Sequence, residues 1–76
     1  MKPTHEQHND FFAHTPLPGV RFEHNDAVEI VGGDHLGESG SIVSVELLGD
    51  DPHYLVELGS GQDAVISQSF LRLPDA

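Results

Sequence analysis

The 76-residue sequence has no cysteine and only three basic residues, Lys2, Arg21 and Arg72. The missing cysteines exclude disulfides, thiolate chemistry and cysteine-based zinc sites. The shortage of positive charge excludes a basic groove of the kind that tracks a nucleic-acid backbone. No apolar run approaches membrane-spanning length, and the segment Met1 to Glu6 lacks the apolar stretch of a signal peptide. A cytoplasmic address without a membrane partner is the expectation. The chain has room for one domain at most and little room for a water-free catalytic cleft, so a non-enzyme is expected.

What is present is acid. Thirteen carboxylates against three bases give a formal charge of −10 at pH 7. Such a surface repels phosphate, favours basic partners, and makes attractions that weaken as salt screens them.

Residues 1–25 and 26–76 read differently. The first segment is polar, rich in His and Pro, and reads as a short, partly ordered N-terminal arm. Thr4 followed by Gln7 fits a capping box, so the spacing predicts a short helix from about residue 5 to residue 13, ending before Pro16 and Pro18. A helix of that length persists only if Phe11 and Phe12 dock on the rest of the chain.

From Asp26 onward apolar residues alternate with polar ones. Val28 and Ile30 mark a first strand, and a glycine-dense loop runs from Gly32 to Gly40. Strands are predicted at Ser41 to Leu48, His53 to Leu58 and Asp63 to Ile66, separated by Gly49-Asp50-Asp51-Pro52 and Gly59-Ser60-Gly61-Gln62. Ser67-Gln68-Ser69 reads as a single helical turn, and Phe70 to Leu73 as a closing strand stopped by Pro74. Five short strands between glycine-rich turns predict an all-β domain, a small barrel or sandwich. The predicted core is Val28, Ile30, Ile42, Val45, Tyr54, Val56, Leu58, Ile66, Phe70 and Leu73.

No constellation carries catalysis. None of the serines sits in a Gly-x-Ser-x-Gly elbow at a strand-to-helix turn, and the adjacent Asp50 and Asp51 belong to a turn too exposed to raise a carboxyl pKa. Gly32-Gly33 and Gly37-x-x-Gly40 lack the lysine and following helix of a phosphate cradle, and Asp34 and Glu38 would repel the anion. His5 and His8 share a predicted helical face, but two histidines fall short of the three or four ligands a metal site needs. His14, His24, His35 and His53 show no recurring ligand spacing, so no metal and no cofactor are expected.

An alternating strand with Val28 and Ile30, then Gly32-Gly33, Gly37-Glu38-Ser39-Gly40-Ser41-Ile42 and finally Val45 stand in the order of a known signature. This segment resembles the KOW motif of some ribosomal proteins and transcription elongation factors, with Tyr54 to Leu58 where the next barrel strand falls. Val65 to Leu73 resembles the strand, 3₁₀ turn and strand that end SH3-like barrels. The resemblance implies a five-stranded SH3-like (KOW-like) barrel over residues 26–76. Nucleic-acid-binding members typically carry basic loops, whereas this loop has Asp34, Leu36 and Glu38.

The leading expectation is therefore a non-catalytic interaction module or accessory subunit. It would dock a basic protein surface through two acidic loops carrying Asp34, His35 and Glu38, and Asp50, Asp51 and His53. Two alternatives stand beside it. One is a nucleic-acid-associated KOW-like or Sm-like protein of transcription or translation; the other is a metal-binding or enzyme accessory subunit.

Overall fold

Helix α1 (His5–Phe12) begins at the capping box expected from Thr4 and Gln7. The Gln7 N–H donates to the Thr4 hydroxyl at 3.1 Å, and the Thr4 N–H donates to Gln7 Oε1 at 2.8 Å. Two amides that a helix start leaves orphaned are thus satisfied reciprocally. The helix stops well before Pro16, at Ala13 and then His14, whose φ of 61° is left-handed. The structure is a computed structural model that describes residues 1–74.

Five strands follow: β1 (Ala27–Ile30), β2 (Ser39–Leu47), β3 (His53–Leu58), β4 (Asp63–Ser67) and β5 (Leu71–Arg72). They form one antiparallel sheet in the order β4-β3-β2-β1-β5. The first four make a meander. A single 3₁₀ turn (Gln68–Phe70) then carries the chain across to β5, which pairs with β1 through Glu29 with Arg72 and Ile30 with Leu71. The result is a small all-β, barrel-like fold with a short N-terminal helix.

Strand β2 curls because it holds two extra residues. Its register against β3 slips between Ile42 and Ser44 and again between Val45 and Leu47, leaving Val43 and Glu46 as bulges. A bulge bends its strand and tightens the local twist, which a small sheet needs in order to wrap its core. The Val43 carbonyl is not left unpaired, because His24 Nδ1 donates to it at 2.7 Å. Where β2 crosses β3, Gly40 has no room for a side chain. A Cβ there would collide with the Glu57 backbone carbonyl and come within 2.9 Å of a Val56 methyl.

The core holds Val28, Ile30, Ile42, Val45, Tyr54, Val56, Leu58 and Ile66, as alternation predicts, together with Phe11, Phe22 and Leu71. Two expected members are not in it. Phe70 is 41% exposed and Leu73 52% exposed, while Leu71 between them is buried. The physical reason is the 3₁₀ turn, which extends to Phe70 and so shifts the inward position of the closing strand by one residue. The aromatic volume instead comes from the N-terminal segment. Phe11 and Phe22 lie with ring centroids 6.3 Å and 5.5 Å from Tyr54. Phe12 is 45% exposed and meets the His24 ring edge-on at 5.0 Å.

Candidate functional site

The Gly32-Gly33 pair explains the position of Phe70. Its ring lies close beside that backbone, where a Cβ on Gly32 would fall 2.7 Å from a ring carbon and one on Gly33 3.1 Å away. The Val31 N–H donates to the Phe70 carbonyl at 2.7 Å, tying the end of β1 to the 3₁₀ turn. Beyond the glycines the loop folds on itself. The Gly37 N–H returns to the Ile30 carbonyl at 2.9 Å, with Gly37 at a φ of 90°, so the expected tight glycine turn is present there.

Between this loop and the outer part of the sheet lies an open cleft of about 400 Å³. One wall carries Asp34 and His35; the other carries His53, Val65 and Ser67, with Phe70 at the glycine side. Val65 is 55% exposed, so it and Phe70 remain open to solvent, whereas Ile30 and Ile66, which also line the cleft, are buried.

The six residues singled out in the sequence fall into two neighbouring groups. In the β1–β2 loop, His35 Nδ1 lies 2.8 Å from Glu38 Oε2, and Asp34 is exposed at the cleft rim. In the β2–β3 turn, Asp50 is exposed beside a second depression shared with Asp51, Arg21, Gln68 and Ser69. His53 is the member of that turn that reaches the cleft of Asp34 and His35.

Asp51 and His53 are held by their surroundings. The Asp51 carboxylate accepts from the Ser69 N–H at 3.0 Å and from the Ser69 hydroxyl at 2.9 Å, which pins the 3₁₀ turn. His53 Nδ1 is 2.8 Å from the Asp51 carbonyl, which only accepts, so this nitrogen bears the proton. The other nitrogen, Nε2, sits 3.0 Å from Ser67 Oγ. The ring is thereby fixed at the cleft wall.

Two features escaped alternation and spacing. One is Gln68, which sits at the bottom of the 3₁₀ turn and joins three segments. Its Oε1 accepts from the Arg21 N–H at 3.0 Å and from the Tyr54 hydroxyl, and its Nε2 donates to the Gly19 carbonyl at 3.1 Å. Burial raises the Tyr54 pKa above the ordinary phenol value. The other is the open apolar pair, Val65 and Phe70, because alternation places Phe70 in the core. Glycines at 32 and 33 were the available signal, since two adjacent residues without side chains permit a ring to lie on the backbone.

Among the described residues, no group of three or more His, Asp or Glu is placed to hold a metal ion, and no helix is long and apolar enough to cross a membrane. The cleft can offer shape, an apolar floor, fixed imidazoles and negative charge, which are means of recognition. Comparison with curated proteins and with solved structures finds no match. The model of one family, the TOBE domain, matches residues 18–75, a stretch that takes in all five strands and most of the core, and the chain belongs to that family.

Proposed function

We propose that the chain is a non-catalytic interaction module that docks its acidic loop face onto a basic protein surface of a larger assembly. Domains of its family are often molybdate-binding, transport-associated or protein-interaction modules. A charge of −10 and carboxylates on both loops disfavour an oxyanion and favour the last of these roles. The observation that carries the reading is the cleft, where the exposed faces of Val65 and Phe70 lie beside Asp34. A lysine or arginine suits that combination, since its apolar stem covers hydrophobic surface while its charged head meets a carboxylate. The KOW-like glycine spacing suits a partner from transcription or translation machinery, held by protein contacts.

Affinity capture from native lysate, with and without nuclease and at low and high salt, tests this. A basic protein retained after nuclease, released by salt and lost with Asp34→Lys is the expected result. Retention that disappears with nuclease overturns the reading in favour of nucleic acid. A melting temperature raised by molybdate alone overturns it in favour of anion binding.

A further inference from the structure

The sheet leaves a usable edge beside the cleft. In the β3–β4 ladder, the Gln68 N–H donates to the Pro52 carbonyl and the Leu58 N–H to the Gln62 carbonyl, each at 2.7 Å. Both pairs lie in register with Tyr54 opposite Ile66 and Val56 opposite Ala64. Antiparallel pairs alternate between bonded and non-bonded, so Ala64 and Ile66 direct their backbone groups at β3. Asp63, Val65 and Ser67 direct theirs away from it. Strand β4 is the outermost strand, and among the described residues no other backbone group bonds to those three.

Exposed edges are normally blunted by brevity, proline, charge or a covering segment. The opposite outer strand, β5, has only two residues. Strand β4 has five, contains no proline, and carries a single charge, at Asp63. Its Val65 and Ser67 form one wall of the cleft whose other wall is the Asp34–His35 loop.

We infer that the β4 edge takes up an extended basic segment of the partner as an added strand; this rests on the docking reading above and specifies how the partner binds. Main-chain bonds to Asp63, Val65 and Ser67 supply affinity, and alternate side chains of the incoming strand supply selectivity. Charge selects the occupant. Asp34 flanks the edge near Val65 and Ser67, while Asp63 and its cross-strand neighbour Glu57, both exposed, flank the other end. A second copy of this chain would set −10 against −10, whereas a segment with lysines on alternate positions meets a carboxylate at each end.

The probe is a synthetic peptide of alternating lysine and valine, added to the full chain and followed by NMR titration with amide hydrogen exchange. Binding should slow exchange at Asp63, Val65 and Ser67. It should weaken about tenfold with Val65→Pro, which removes one outward donor that the ladder does not use, and likewise with a peptide N-methylated on the face that bonds β4. The N-methylated peptide keeps the test valid if the proline variant folds poorly. Equal binding of N-methylated and unmodified peptides overturns strand addition while leaving acidic docking in place. Equal binding of a peptide with glutamate for lysine overturns the docking reading as well. No binding, or protection of the same amides by self-association of the chain, overturns the inference.

Discussion

Tyr54 is the only tyrosine and the chain has no tryptophan, so ultraviolet absorbance near the phenolate band reports one buried side chain. Burial raises its pKa, so the folded state holds the phenol proton more tightly than the unfolded state does. The resulting stability is fully present below about pH 10 and is lost as pH rises through the folded value. Alkaline titration should therefore show phenolate appearing together with loss of folded circular dichroism. Phenolate that appears while the fold is intact would show the hydroxyl to be open to solvent. Gly40 gives a second prediction at this scale. Because the obstruction is the Glu57 backbone and not a movable side chain, Gly40→Ala should destabilise by about 1–3 kcal/mol. Gly37→Ala separates packing from conformation, since nothing lies near a Cβ there and only its φ of 90° opposes the change. Gly40 itself has no positive φ, so only the obstruction acts there; chemical denaturation checks the pair, and a Gly40→Ala variant as stable as the parent would show that the Glu57 backbone gives way.

Helix α1 belongs to the fold through one ring. Phe11 is 3% exposed and packs near Tyr54, whereas Phe12 is 45% exposed. Phe11→Ala should cost about 3–5 kcal/mol and Phe12→Ala much less, so thermal melts should separate these adjacent positions clearly. Similar melting temperatures for the two variants would show that the helix does not brace the core. The same element shows what the sequence made legible. Thr4 and Gln7 announced the helix because a capping box is local chemistry, and strands β1 to β4 were readable because one face is buried. Register was not readable beyond the bulges at Val43 and Glu46, because an inserted residue cancels the period that reveals it. Phe70 was misplaced for a related reason: extending the 3₁₀ turn by one residue reverses inside and outside for the residues after it. The two acidic loops were visible as composition. Their relation to the β4 edge was not, since it depends on which way backbone groups point in a ladder, and side-chain pattern carries no record of that.

At the scale of the whole molecule, one property acts with opposite signs on folding and on binding. Thirteen carboxylates, with only three bases to offset them on so small a fold, repel one another, and folding brings them closer together. The ion pair of Arg72 Nη2 with Glu29 Oε2 at 2.7 Å is solvent-exposed on both sides, so its screening costs well under about 1 kcal/mol. Relief of repulsion should therefore dominate. Raising salt from about 20 to about 300 mM shortens the screening length to below about 10 Å and should raise Tm by about 4 °C. The same change should weaken retention of a basic partner, because the field that steers it is screened as well. Measured side by side on the full chain, Tm and partner retention should move in opposite directions with salt. If both rise together, apolar contact with Val65 and Phe70 governs docking, and the carboxylates serve solubility alone. If Tm does not move, the carboxylates lie too far apart to oppose folding, and their excess is maintained for the partner's sake.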